Sequence, residues 1–260
     1  MNIQTQDKYT MTGQYYSGGE AVIRATGGLE IAPEGKFEFN ENLKVTSDTH
    51  IINRGLLSSL GKITVQAPEY IENRDSGRIY GAHVAIGTNY FLNTGGAVVN
   101  AAKRADIGAE TIKNDSGAHI ESLGTINIGR ELDGNGVAFG QAAHVINGRG
   151  TIDAGGDVNI NSKKVDNFSE IRIEPISVSE TPVEFYSSLL LPTEWIPTNR
   201  RREYKLPLAN NNKYTYTLAE MEERPVINNE GKIRAGGTLT FNSEDVYNEG
   251  QIAAGRIGGA

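Results

Sequence analysis

The 260-residue chain contains no cysteine. That excludes disulfides, thiolate metal sites and a cysteine nucleophile. It says little about compartment, because a chain of this length can bury a core without covalent staples. Apolar residues are also scarce, at 38 %, and no apolar run approaches the ~20 residues of a membrane span. Met1 to Thr10 is polar and lacks the apolar stretch of a signal peptide. Excess positive charge is missing as well. With 25 Lys+Arg against 32 Asp+Glu the formal charge is -7, which argues against wholesale binding to nucleic acid or an anionic membrane.

Glycine is what the chain has in quantity. Its 31 residues make about 12 % of the sequence, against an average near 7 %. Few apolar residues with much glycine would signal disorder unless the apolar positions were periodic. They are. A β-branched or aromatic residue stands two before an Asn at Ile51/Asn53, Ile71/Asn73, Phe91/Asn93, Ile112/Asn114, Val145/Asn147, Val165/Asn167, Val226/Asn228 and Val246/Asn248. The Asn-to-Asn spacings are 20, 20, 21, 33, 20, 61 and 20, a period that signals a solenoid. A glycine and then an aliphatic follow seven of the eight Asn residues. Alternating pairs come about six residues later, among them Leu43/Val45, Ile63/Val65, Val84/Ile86, Ile126/Ile128, Val158/Ile160 and Leu239/Phe241.

Strict alternation in short runs is strand periodicity, and no sustained 3.6-residue stripe competes with it. Twenty residues cannot form a sheet with its own core, but they can form one coil of a β-solenoid whose inward residues stack on those of the next coil. The expected fold is all-β, a parallel β-helix with ~20-residue coils. Asn53, Asn73, Asn93, Asn114, Asn147, Asn167, Asn228 and Asn248 are expected to form a hydrogen-bonded ladder along the axis, with the following glycines supplying left-handed corners. Residues 1–21 read as an irregular lead-in or leader strand, 22–170 as coils, and 227–260 as coils running into a truncated end. Both ends fall in repeat-like text, so the chain reads as a piece of a longer one.

Two stretches break the period. Arg130 to Ala143 accounts for the spacing of 33, and its Asp133-Gly134-Asn135-Gly136 is a turn signal; a loop or hairpin projecting from one corner (130–143) is expected. From 171 to 226 there is no glycine at all, while six of the eight prolines and the single Trp fall inside. This reads as a β insertion that leaves the helix, with three degenerate coils as the alternative. Trp195 with Arg200, Arg201, Arg202, Tyr204 and Lys205 brings together residue types enriched at binding hot spots. The cluster is the candidate partner site; the plainer account is that Trp195 packs the insertion and the arginines form a solvated turn. With seven basic and eight acidic residues, the insertion lacks a nucleic-acid footprint.

No catalytic, metal or cofactor set emerges. Asp106, Asp115, Asp133, Asp153, Asp157 and Asp166 are scattered, mostly at turns. His50 and His144 share a register position, which an outward repeat site explains better than metal ligation.

The coil text, such as VINNEGKIRAGGTLTFNSEDVYNEGQIAAG (226–255), resembles the repeats of the filamentous haemagglutinin family, which includes the adhesins, haemolysins and contact-dependent growth-inhibition exoproteins of two-partner secretion. The pattern N-x-G-x-I-x-A-G-G-x-L-x-I covers most of 22–168 and 226–257. The resemblance implies a right-handed coil within a long secreted filament on the bacterial cell surface. It further implies an outer-membrane transporter that exports the full-length protein, and a target-cell receptor, protein or glycan, contacted by part of the stick. On this reading the chain is non-enzymatic and projects an adhesive or toxic element, or itself carries the receptor-binding part. The rival is a carbohydrate-active β-helix enzyme, a polysaccharide lyase or hydrolase.

Overall fold

A computed structural model describes residues 1–186, 200–205 and 213–255. The described residues contain strands and no helix. The chain divides into two units, Met1–Glu170 with Asn229–Ala260, and Ile171–Asn228.

The first unit is a parallel β-solenoid of about nine turns with coils of about 21 residues. Every coil offers three faces. The coil of residues 111–129 shows them separately, His119–Ser122 on the first face, Thr125–Gly129 on the second and Thr111–Asp115 on the third; elsewhere one strand runs round the corner from the first face to the second, as in Leu56–Gln66. Each strand pairs with its counterpart one coil away. On the third face the inward row reads Tyr9, Leu29, Ile51, Ile71, Phe91, Ile112, Val145, Val165, Val246. Ile71, Ile112, Val145 and Val165 are fully buried there, whereas Val246, in the last described coil, is 42 % exposed. At the strand spacing of ~4.8 Å, nine coils stack over about 40 Å. Alternation does the rest: in Thr125–Gly129 the inward Ile126 and Ile128 are buried and Asn127 faces out.

The N-terminal 21 residues are not a lead-in. Asn2–Thr5, Tyr9–Met11 and Gln14–Ser17 pair in parallel with the following coil and form the first turn. The ladder position is apolar in this coil and the next, where Met11 and Ile31 stand in line with Asn53. The Asn signal is therefore absent although the coil is present.

From Asn53 onward the ladder is continuous. Each Nδ2 donates to the Oδ1 one coil along, from Asn53 to Asn73, Asn93, Asn114, Asn147, Asn167 and Asn248, at 2.7–2.9 Å. The second hydrogen goes to a carbonyl of that next coil, for example from Asn114 to Thr151 O. All these amides point the same way and six of the seven are fully buried, so the ladder satisfies groups that would otherwise cost free energy in the core. Asn228 has no place in it. Asn167 bonds Asn248 directly across 81 residues of chain, one coil of 20 plus 61 inserted residues, and Asn228 ends the inserted unit.

The corners use the expected glycines in part. Two after the Asn the left-handed residue is Asp75, Gly95, Ser116 or Arg149, and Gly96 and Gly117 are left-handed next to theirs. In other coils the following glycine serves a different need. A Cβ at Gly77 would sit 2.4 Å from Asn73 Oδ1 and one at Gly150 2.4 Å from Asn114 Nδ2, so these glycines keep side chains out of the ladder.

The segment between Arg130 and Ala142 does not project. Glu131–Leu132 and Ala138–Phe139 form an antiparallel hairpin, and it folds back over the second face. Ala138 N donates to Asp106 Oδ1 at 3.1 Å, and Lys62 Nζ donates to Asn135 O.

The second unit is a three-stranded sheet with Lys213–Asn229 in the middle, flanked by Glu170–Tyr186 and Arg200–Lys205. Arg200–Lys205 runs antiparallel to Thr217–Glu222, which leaves no room for degenerate parallel coils in that stretch.

Candidate functional site

The six aspartates that a catalytic reading would need are each engaged in holding the structure. Asp106 is buried, with Arg104 Nε at 2.6 Å and the amides of Asn127 and Ala138 on its other oxygen. Asp115 holds Arg149 at 3.1 Å across a corner. Asp133 closes the hairpin turn by accepting from Asn135 N and Val137 N. Asp153 pairs with Arg234 at 2.6 Å on the next coil, and Asp157 accepts from Thr238 N at 2.7 Å. Asp166 takes His144 Nε2 at 2.8 Å and Lys164 Nζ at 2.9 Å. Burial pushes the Asp166 carboxyl up, but the hydrogen bonds from Lys164 and His144 outweigh it and hold the group below its usual value.

The histidines do not converge. His50 and His144 do share one outward row, but Tyr70, Tyr90 and Thr111 stand between them. His50 stacks on Tyr70 with ring centroids 4.8 Å apart. Burial, reinforced by the Arg104 and Lys103 charges, holds the His83 imidazole below its ordinary value, so it is neutral at physiological pH. Among the described residues there is no group of three or more His, Asp or Glu able to hold a metal ion.

The cluster expected to bind a partner is only partly described. Trp195 lies outside the described residues. Arg200, Arg201, Arg202, Tyr204 and Lys205 all fall on the strand Arg200–Lys205, whose register sets Arg200 opposite Glu222, Arg202 opposite Glu220 and Tyr204 opposite Leu218.

A feature that the sequence reading passed over lies on the second face. One outward row runs through Gln4, Arg24, Thr46, Gln66, Gly87, Gly108 and Gly129 in successive coils. Its two halves differ. The glycine half lies under the hairpin: a Cβ on Gly108 would come within 2.4 Å of Glu131 C, and one on Gly129 within 2.7 Å of Phe139 O. The polar half is open. It floors a groove of about 690 Å³, walled by Asp48 and Pro68 and closed at one end by Arg130, Glu131 and Leu132. Arg24 Nη2 donates to both oxygens of Asp48, at 3.2 and 3.3 Å, and Arg130 pairs with Glu110. The glycine triplet was visible as Ile86-Gly87, Ile107-Gly108 and Ile128-Gly129 at spacings of 21, immediately before the period breaks.

No family model, curated protein or solved structure matches the chain. Its class is defined by its own geometry, a parallel β-solenoid repeat unit interrupted by a unit with its own three-stranded sheet.

Proposed function

We propose that this chain is a non-enzymatic segment of a secreted bacterial cell-surface filament of the haemagglutinin, haemolysin and growth-inhibition exoprotein type, an adhesin or toxin-delivery stick. The observation that carries the reading is the uninterrupted ladder from Asn53 to Asn248, with a hydrophobic row beside it. Hydrogen bonds aligned with the axis and an inward row that continues from coil to coil suit an element whose work is to hold a distance between a surface and a target. The engagement of all six aspartates in structural bonds supports a non-catalytic role. The filament reaches the surface through an outer-membrane transporter and meets a receptor, protein or glycan, on the target cell. The unit Ile171–Asn228, with Trp195 and the Arg200–Lys205 strand, is the part that makes contact, since binding residues concentrate on elements carried by a rigid scaffold.

The test is saturable binding of the labelled chain to bacterial and host cells, beside a variant in which residues 177–222 are replaced by a short glycine linker. The variant should keep its β-type circular dichroism and lose cell binding. Release of reducing sugars or unsaturated uronides from pectin-type polymers would instead establish the enzyme.

A further inference from the structure

We propose that the open half of the second-face row is a binding groove for an uncharged oligosaccharide strand. This goes beyond the projecting-filament reading and does not depend on it.

The proposal rests on the contrast within a single row. Where the row is Gly87, Gly108 and Gly129, a polypeptide lies on the face, and the close approaches of Glu131 and Phe139 show that it needs the missing side chains to do so. Where the row is Gln4, Arg24, Thr46 and Gln66, each coil presents a side chain, and no such bed for a peptide backbone exists. Strand addition is closed along most of the floor as well, because the strands carrying Arg24, Thr46 and Gln66 already pair on both sides with neighbouring coils; Asn2–Thr5 pairs on one side, with Ala21–Ala25. A ligand there must be read by side chains. Those available are two amides, a guanidinium held by Asp48, and a hydroxyl. The amides and the hydroxyl both donate and accept and the guanidinium donates, a set that matches the paired hydroxyls of a sugar. The side chains of Gln4 and Gln66 have no hydrogen-bond partner among the described residues, so they are free to exchange water for a ligand.

Charge decides between sugar classes. Arg24 is neutralised by Asp48 and Arg130 by Glu110, leaving Lys44 and Glu131 with opposite signs at the groove. A polyanion would find no excess of positive potential there. From Gln4 to Gln66 the floor spans three coil intervals, about 14 Å, which suits several linked sugar rings rather than a single one. Leu132, over Gly87, closes the end.

The purified chain is applied to an array of neutral and anionic glycans, and the best-retained sugar is titrated calorimetrically. Retention of neutral oligosaccharides is expected. Gln66→Ala should weaken that sugar roughly five- to tenfold, Thr46→Trp should remove binding by filling the floor, and Lys36→Ala, on the first face, should change nothing. Each variant is compared by thermal melting; if Thr46→Trp does not fold, Gln66→Ala decides. Because the groove lies within the first unit, the 177–222 deletion keeps sugar binding even if it loses cell binding, so the two readings fail separately. Retention of anionic glycans alone, of no glycan, or binding that the groove variants leave unchanged would overturn the proposal.

Discussion

The two units of this chain solve the same backbone problem in opposite ways, and their compositions follow. In the solenoid unit strands are commonly four or five residues long and the chain must turn at every corner. In the inserted unit two strands run for 17 residues each without turning. A corner needs a left-handed residue, or a missing Cβ where coils approach closely; a long extended strand needs neither. All 31 glycines accordingly lie outside 171–226. The contrast teaches that a glycine-free stretch within a glycine-rich repeat marks a change from stacked coils to side-by-side long strands. It also separates two sources of stability. The solenoid draws on rows that continue through many coils, so damage at one level reaches its neighbours.

That comparison can be broken most forcefully at Val165. Its side chain is fully buried in the row between Val145 and Val246. Val165→Asp places a carboxylate in a core with no partner, at a cost of about 4 kcal/mol. A large fall in the urea midpoint of the solenoid is expected; an unchanged midpoint would mean that the coils do not share a continuous core. The next effect compares two Asn residues with the same local text. Asn147→Ala removes two ladder bonds and orphans Asn167 Oδ1, while Asn114 Nδ2 keeps its carbonyl partners, for roughly 2 kcal/mol. Asn228→Ala touches no ladder bond and should cost under about 0.5 kcal/mol. Equal losses in thermal melting would restore Asn228 to the stack.

Asn228 also shows how far the sequence could be read. The period, the inward pairs and the ladder were legible because each coil repeats the same physical demand. Val165-Asp166-Asn167 and Val226-Ile227-Asn228 both carry the corner text, one on each side of the insertion. Only one of them can occupy the ladder, and local pattern does not say which; the stacking of Asn167 on Asn248 does. Ala105 and Ile107 fill the inward pair of their coil, but a small residue hid that pair among stronger ones. The first coil was missed because Met11 stands where the Asn signal was sought. The groove was beyond reach for a different reason. It is made by outward residues of separate coils, which obey no period of their own, and only its glycine half left a trace in the text.

A middle-sized effect is expected where the glycine stripe meets the hairpin. Gly108→Val would drive a side chain into Glu131, and overpacking of this kind costs roughly 1–3 kcal/mol. The hairpin is the part that yields, since it is held on this face by a few polar contacts while the floor is locked into the stack. Limited proteolysis should therefore cut the variant between Asp133 and Val137 well before the wild type. Protection equal to the wild type would show that the hairpin does not rest on the stripe.

A smaller, pH-dependent effect lies on the solenoid's outer surface and marks where the row logic ends. Asp166 is held by His144 from the coil before and by Lys164 from its own strand, so its pairing is local and belongs to no ladder. Its pKa lies below the usual 3.8. A carboxyl depressed on folding adds stability that is present above its unfolded pKa and is lost as pH falls through the folded one. The contribution is therefore constant near neutrality and disappears only below about pH 4. Asp166→Asn should lower stability at pH 7 by about 0.5–1 kcal/mol, as for a partly exposed ion pair, and the difference from wild type should vanish in acid. Urea titrations at pH 7 and pH 3 measure both ends. A loss at pH 3 as large as at pH 7 would show that the side chain matters for its packing rather than its charge, and would make even this outer position part of the solenoid's continuous rows.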